Sequence, residues 1–287
     1  MTLFLKLLRK VTKIAYNYRG FARIAEAVRK FYSQTHKVLL INDFDNNLSF
    51  YCELDEHMGS QIFWRGFYSG EQLRVLNHWL APDMVFVDVG ANQGEFSVFA
   101  AKRLTQGQVI AFEPVSVLFQ KLQRNINANN LTNVQLIQKG LDNKNHKLTI
   151  YTREGNFEDG TRHEGLPTLY PTPTRSKICE VIELTYLDDF LESQNISRID
   201  VIKIDVEGAE LAVLQGARET LRRFKPVILM EVNEETSQAA GYSSRALLDY
   251  LSEMDYKFEE ILYDGSTQPI LPGQLSNFQN IVCWPKQ

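Results

Sequence analysis

Short continuous runs of apolar residues alternate with helix-like segments from Pro82 onward. Strands buried on both faces of a parallel sheet are apolar at every position, and the runs therefore predict parallel strands. The alternation predicts a doubly wound, Rossmann-like α/β fold. YKFEEIL and FQNIVCW near the end predict an antiparallel pair at one edge, which makes a mostly parallel sheet of seven strands. The five parallel strands are MVFVDVG, QVIAFEP, NVQLIQKG, DVIKIDV and PVILMEV, and the helical stretches are 95–104, 116–130, 209–224 and 243–254.

The residues before Pro82 follow other patterns. From Leu3 to Phe31 apolar residues recur every three or four positions, which predicts an amphipathic helix with a break near Gly20. KVLLIN and LSFYCEL predict a hairpin, and helical spacing returns at 71–80. We expect a basic helical extension at 1–36, a hairpin and helix at 37–80, and the α/β domain at 81–287.

One segment of the α/β domain lacks any period. Residues 155–177 contain three glycines and three prolines with several threonines, and a loop this long inside a domain is usually functional or disordered. EVIELTYLDDFLES then predicts a strand and a short helix.

Composition and charge narrow the class of protein. The apolar and charged fractions, 44% and 23%, are ordinary for a globular protein, and three well-separated cysteines suit reduced thiols. We find no secretion signal and no apolar run near the roughly 20 residues that span a bilayer, and we expect a cytoplasmic protein. Residues 1–37 carry nine basic residues and one acid, or +8, whereas the remaining 22 basic and 34 acidic residues give −12. An acidic body argues against a nucleic-acid partner.

A candidate cofactor site begins in VFVDVGANQGEFS. The strand ends at Asp88 and turns through Gly90, Ala91, Asn92 and Gly94 into a helix. Glycines let the backbone approach a ligand closely, and ligands of open parallel sheets bind beyond the carboxyl ends of the strands.

Two more acids end the next predicted strands. Glu113, followed by Pro114, can accept both hydroxyl hydrogens of a ribose, and Asp142, after Leu141, can accept from an adenine amino group. Three acids suit a neutral nucleoside that carries a sulfonium and repel a pyrophosphate. This pattern favours S-adenosylmethionine over the rival reading, a nicotinamide-dependent oxidoreductase, whose G-x-G-x-x-G fingerprint is replaced here by G-x-x-x-G.

With these motifs the chain resembles the FkbM-type methyltransferases. The resemblance rests on VDVGANQGEFS, AFEP, LDDFLES and above all IDVIKIDVEGAELAVLQGA followed by P-x-I-L-M-E-V, and it covers about Phe50 to Trp284. It implies a class I methyltransferase domain that transfers a methyl group to a hydroxyl of a saccharide or natural product. It also implies that Asp88, Gly90, Asn92 and Gly94 hold the methionine part of S-adenosylmethionine, Glu113 the ribose, and Leu141 with Asp142 the adenine. The 155–177 loop departs from the Ser- and Gly-rich pattern of many relatives.

The acceptor hydroxyl must lose a proton, which requires a base. We expect Asp205, at the end of DVIKIDV, to position the hydroxyl or accept its proton, supported by Glu207 or Glu231. His163 in the long loop is the other candidate base. The histidines show no metal-ligand spacing, and we predict no metal. The remaining alternative is a cofactor-binding protein without catalysis.

The basic N-terminal helix allows two interpretations. Its apolar stripe, with basic residues beside it, can lie at the inner face of an anionic membrane or pack on the domain or a second subunit. Trp64, Phe67 and Tyr68 precede the α/β domain and are candidates to wall an acceptor pocket.

Overall fold

The computed structural model describes residues 2–16, 21–153, 155–162, 167–270 and 275–286. The helices are α1 Leu3–Ala15, α2 Ala22–Tyr32, α3 His57–Arg65, α4 Gly70–Trp79, α5 Glu95–Arg103, α6 Ser116–Asn127, α7 Leu187–Ser193, α8 Glu210–Gln215, α9 Arg218–Phe224, α10 Glu234–Ala239 and α11 Ser244–Ser252. The strands are β1 Val38–Phe44, β2 Leu48–Glu53, β3 Val85–Val89, β4 Gln108–Phe112, β5 Val134–Ile137, β6 Gly140–Leu141, β7 His146–Thr152, β8 Lys177–Thr185, β9 Val201–Ile204, β10 Val227–Asn233, β11 Tyr256–Ile261, β12 Thr267–Pro269 and β13 Phe278–Pro285.

The main sheet has the strand order β12-β11-β13-β10-β9-β3-β4-β5. Pairing is parallel from β10 to β5 and antiparallel where β13 meets β10 and β11. The doubly wound, mostly parallel fold and its antiparallel pair are therefore confirmed. The predicted seven strands are all present, and the three-residue β12 adds an eighth at the edge because it pairs with β11.

A second, three-stranded sheet has the order β6-β8-β7. The predicted EVIELTYLDDFLES strand and helix are β8 and α7, but β7 and β6 were not predicted. The third acid also lies elsewhere than expected: β5 ends at Ile137, and Asp142 follows β6, which pairs with β8 instead of the main sheet. The prediction that Asp142 ends the third parallel strand was wrong, because the chain leaves the main sheet before it.

The predicted helix at 209–224 is two helices, α8 and α9. A Cβ on Gly216, between them, would lie 2.0 Å from the carbonyl oxygen of Asp142. The backbone at Gly216 therefore packs directly against the backbone at Asp142, and a side chain at position 216 would prevent this contact.

The hairpin predicted from KVLLIN and LSFYCEL is present as the antiparallel pair β1–β2. Its buried face, with α3 and α4, belongs to the same apolar cluster as one face of the main sheet. Phe50 and Trp64, for example, are fully buried in one core with Phe86 of β3. Trp64 is thus a core residue and does not line a pocket.

The N-terminal helix is interrupted as predicted: α1 ends at Ala15 and α2 starts at Ala22, while Gly20 itself lies outside the described residues. The faces that turn inward are those that carry Arg9 and Thr12 of α1 and Ala25 and Arg29 of α2. Much of the predicted apolar stripe is instead exposed. Of the two interpretations, packing of most of this stripe on the domain is not observed, since the ion pairs of Arg9 and Arg29 hold the opposite face inward.

Candidate functional site

A cavity of about 300 Å³ opens at the carboxyl ends of β3, β4, β9 and β10. This is the edge of an open parallel sheet where ligands bind. Among the residues predicted from the sequence, those that line it are Gly90, Ala91, Asn92, Glu113, Pro114, Leu141, Asp205, Glu207 and Glu231.

The turn after β3 forms one wall of the cavity and is held tightly. The N–H groups of Gly90 and Ala91 both donate to the carbonyl of Phe112, at 3.0 and 2.9 Å. Gly90 has a φ of 74°, and a Cβ there would lie 2.1 Å from the carbonyl oxygen of Asp205. Only glycine fits this position, and the turn is thereby locked against the start of the β9 loop.

Glu113 follows β4 directly and is 4% exposed. One carboxylate oxygen accepts from the N–H of Asn92 at 2.8 Å and the other from the N–H of Val115 at 2.9 Å. Burial raises the pKa of Glu113 to about 7, although these two hydrogen bonds favour the ionised form. Each oxygen keeps a further lone pair, and the carboxylate can therefore accept two hydroxyl hydrogens from the cavity.

Asp88 lies beneath the cavity and not in its lining. Its carboxylate is fully buried, accepts from Ser97 Oγ at 2.6 Å and lies 3.3 Å from Lys203 Nζ. Lys203 lines the cavity and donates to the carbonyl of Gly90 at 2.7 Å. Burial would lower the pKa of Lys203, but the charges of Asp88 and Asp205 outweigh it and raise the pKa. Asp88 thus supports the turn through Lys203.

Two other predicted cofactor residues are also outside the lining. Gly94 is the left-handed residue before α5, and a Cβ there would lie 2.6 Å from a methyl carbon of Leu122. Asp142 is engaged with its neighbours: it accepts from the N–H of Asn143 at 2.6 Å and pairs with Nε2 of His146 at 2.7 Å. Contact of these two residues with a cofactor stays a prediction.

Besides Glu113, the carboxylates of Asp205, Glu207 and Glu231 line the cavity. Burial, then the charges of Asp205 and Glu207, raise the pKa of Glu231 to about 9. Burial likewise raises the pKa of Glu207 to about 7, although Arg175 donates to its Oε2 at 2.6 Å. The Asp205 side chain is 36% exposed and lies 4.0 Å from Lys203 Nζ. Asp205 is therefore more accessible than Glu207, whose side chain is 10% exposed.

The wall that faces the sheet comes largely from residues that sequence reasoning missed. The His57 ring stacks on Phe157 with ring centres 4.0 Å apart and contacts Tyr68 edge to face. Tyr68, one of the three aromatic candidates, lines the cavity, whereas Trp64 and Phe67 do not. Burial and then the charge of Asp205 raise the pKa of Tyr68. No local pattern marks His57, because its role depends on the loop that packs over it.

The 155–177 loop closes this wall and is tied to the N-terminal segment. Asp159 pairs with Arg29 of α2, and Arg162 donates to Asp55 at 2.8 Å and to Glu53 at 2.9 Å. The candidate base His163 lies outside the described residues.

Within the described part of the chain, no three His, Cys, Asp or Glu side chains are grouped to hold a metal ion. Nor does any helix there have the length and apolarity needed to cross a bilayer.

Comparison with known proteins places residues 88–258 in the Methyltransferase FkbM domain family. The match covers more than half of the 287 residues. The chain belongs to the FkbM methyltransferase family.

Three curated methyltransferases are similar to this FkbM protein. Methyltransferase 1 of Beauveria bassiana is 34% identical over 47% of this chain and 58% of its own length. 2-O-methyltransferase NoeI of Sinorhizobium fredii is 24% identical over 61% of this chain and 73% of its own. Hexuronic acid methyltransferase AglP of Haloferax volcanii is 29% identical over 56% of this chain and 62% of its own. The chain thus spans about three fifths of the length of the first and third relatives.

The FkbM match contains the turn after β3, Glu113, Lys203 and the three carboxylates, but not the whole cavity. His57 and Tyr68 precede it, and Asn280 of β13 follows it. Asn280 Oδ1 accepts from Gln72 Nε2 at 2.8 Å. In this FkbM protein, the wall that faces the carboxylates is therefore built partly by segments outside the matched region.

Proposed function

We propose that this chain is an S-adenosylmethionine-dependent O-methyltransferase that acts on a saccharide hydroxyl. The observation that carries the proposal is that Glu113 and Asp205 line the same cavity from neighbouring parts of one sheet edge. A ribose-binding carboxylate and a proton acceptor are the two groups that such a reaction needs from the protein.

The lining fits the methyl donor. Most of the charged side chains that line the cavity are acidic, and Lys203 is a basic side chain among them. A cationic sulfonium is attracted by such a lining, whereas a phosphate is repelled. Apolar side chains suited to an adenine face lie on the Glu113 side and include Leu141, Ile150, Ile182 and Leu184.

A nicotinamide dinucleotide fits poorly for a second reason. Its pyrophosphate would sit at the first turn of the helix after β3. In this chain that turn starts with Glu95, a fully buried carboxylate that accepts from the N–H groups of Tyr68 and Ser69 at 2.6 and 3.0 Å. Burial raises the pKa of Glu95 to about 7, and in its ionised form this carboxylate would repel a pyrophosphate at the turn.

When bound, S-adenosylmethionine would supply an electrophilic methyl group. Asp205, the accessible carboxylate, would hold the acceptor hydroxyl and take its proton when that hydroxyl is methylated, leaving the cofactor as a neutral thioether. Glu231, whose pKa of about 9 keeps it protonated at neutral pH, would leave Asp205 as the acceptor of that proton. Lys203 would hold the turn in place and balance the charge of Asp205.

The aromatic and polar lining supports a saccharide acceptor. His57, Phe157 and Tyr68 present ring surfaces on which the C–H face of a sugar can pack, and Gln72 and Asn280 supply amides for its hydroxyls. The names of two relatives point the same way, since one is a 2-O-methyltransferase and the other a hexuronic acid methyltransferase.

Calorimetric titration with S-adenosylmethionine, and in parallel with NAD, tests the cofactor. We expect saturable binding of the former alone, and Glu113→Gln to weaken it about tenfold or more through the lost ribose hydrogen bonds. Glu235→Gln, at an exposed carboxylate of α10, is the matched control and keeps full affinity. Binding of NAD by the wild type would overturn the assignment.

Catalysis is tested with Asp205→Asn and methyl transfer to a panel of saccharides, measured by mass spectrometry. We expect cofactor affinity to be retained and turnover to fall about 100-fold or more. If the wild type binds S-adenosylmethionine but methylates no hydroxylated acceptor, the non-catalytic alternative takes its place.

A further inference from the structure

The two N-terminal helices expose an unusual number of large apolar side chains. We propose that this face docks on the surface of an anionic phospholipid bilayer. The exposed fractions of Leu3 and Val11, for example, are 74% and 62%. The docking face consists of Leu3, Phe4, Leu7, Val11 and Ile14 of α1 and Phe21, Ile24 and Phe31 on and beside α2.

The rest of the molecule holds this face outward. Arg9, on the opposite side of α1, is 5% exposed, pairs with Asp43 and lies over the ring of Phe63. Arg29 of α2 is 2% exposed and pairs with Asp159. Turning the apolar face inward would break both ion pairs and would offer neither arginine a new acidic partner. The outward orientation is thus fixed by the tertiary structure.

Charge complementarity selects the occupant. At roughly 100° per residue, Lys6 and Lys10 lie along one edge of the exposed apolar face of α1, and Arg23 and Lys30 flank that of α2. All four side chains are exposed. The one acid of residues 1–37, Glu26, pairs with Arg29. An apolar face flanked by cations is the arrangement that inserts into the interface of an anionic membrane.

A second copy of the chain fits less well. A two-fold dimer would place the same face against itself, and the flanking lysines and arginines would then oppose like charges. An anionic lipid surface instead neutralises them while it buries the apolar side chains.

One ion pair links α2, which carries part of the docking face on its other side, to the loop that lines the cavity. Arg29 contacts Asp159, and Phe157, two residues earlier, lines the cavity. A docked α2 would hold the loop side of the cavity near the lipid surface. This step rests on the proposed function and identifies the acceptor class as a saccharide carried by a membrane lipid.

Flotation of the purified chain tests the docking with two kinds of vesicles, phosphatidylcholine alone and phosphatidylcholine mixed with phosphatidylglycerol. We expect flotation with the anionic vesicles, decreasing with salt, and a loss of about tenfold or more in partitioning for the double variant Leu7→Ser, Val11→Ser. The double variant Lys6→Gln, Lys10→Gln should lose binding to the anionic vesicles while it folds normally. Ile178→Ser, which removes an exposed apolar side chain of β8, is the matched control and should float like the wild type.

Three outcomes would overturn the proposal: no flotation with anionic vesicles, flotation equally retained in both α1 variants, or concentration-dependent dimerisation that Leu7→Ser, Val11→Ser abolishes without any vesicle binding. Vesicle binding needs neither cofactor nor turnover, and its failure is therefore distinct from failure of the proposed function. For the acceptor class, a saccharide on a polyprenyl phosphate in the anionic vesicles should be methylated at least about tenfold faster than the same saccharide free in solution.

Discussion

Lys203 Nζ lies 3.3 Å from Asp88 Oδ1, and both side chains are almost completely buried. Together they support the turn at Gly90, which lines the cavity. Lys203 reaches the carbonyl of Gly90 from this position, so that its charge and its hydrogen bond act on the same turn.

Replacement of one partner should be more harmful than replacement of both. Lys203→Met leaves the Asp88 carboxylate buried without its cation, and we expect a loss of about 3–5 kcal/mol in the free energy of unfolding. The double variant Asp88→Asn, Lys203→Met should recover a large part of that loss. Urea unfolding of the three proteins measures the difference. Equal destabilisation by the single and double variants would contradict the charge argument.

Gly90 should tolerate no side chain. Gly90→Ala combines a left-handed backbone with a clash against the carbonyl of Asp205, and we expect it to destabilise the protein by about 2–5 kcal/mol and to weaken cofactor binding. Gly241 is the matched control, because it has a φ of 86° and nothing within 4 Å of an added Cβ. Gly241→Ala should lose only the free energy that a left-handed backbone costs an alanine, about 1–2 kcal/mol. Similar losses at both positions, measured by urea unfolding, would mean that the clash at Gly90 is relieved.

Glu231 should make the protein less stable as the pH rises. The folded state keeps the Glu231 proton up to a pKa of about 9, whereas the unfolded chain loses it near 4.5. Between these values the folded state binds more protons, and the free energy of unfolding therefore falls with pH, by up to roughly 1.4 kcal/mol per pH unit for one such group.

Glu231→Gln removes this titration. We expect the variant to match the wild type near pH 4 and to become progressively more stable than it towards pH 8. Thermal unfolding across this range, with Glu235→Gln at an exposed site as control, measures the effect. A stability difference that does not vary with pH would show that Glu231 is ionised in the folded protein.

The pair Arg29–Asp159 should affect the acceptor and not the cofactor. Burial would raise the pKa of Asp159, but the hydrogen bonds from Thr161 and the Arg29 guanidinium lower it to about 2. Arg29→Met removes an anchor of the loop that carries Phe157, and we expect the KM for the acceptor to rise about tenfold with little change in the Kd of S-adenosylmethionine. Lys257→Met, at an exposed position of β11 away from both the cavity and the docking face, should change neither. An equal effect on both ligands would point to general loosening of the fold.

The sequence by itself indicated which segments form the main sheet and placed Glu113 and Asp205 at its carboxyl edge. Strands buried on both faces must be apolar throughout, and a chain of such runs alternating with helices has few ways to fold. Because parallel strands end at one edge, Glu113 and Asp205 were bound to meet there once the strands were recognised. The same local signals marked the hairpin of β1 and β2.

The tertiary structure decided what depends on contacts between distant segments. Asp88 was predicted in the lining but lies below it, because Lys203 from another strand takes up its charge. The role of His57 exists only because Phe157, a hundred residues later, stacks on it. The apolar stripe of α1 faces outward for the same kind of reason: its periodicity shows that one face is apolar, but the ion pair of Arg9 with Asp43 decides which face meets the protein.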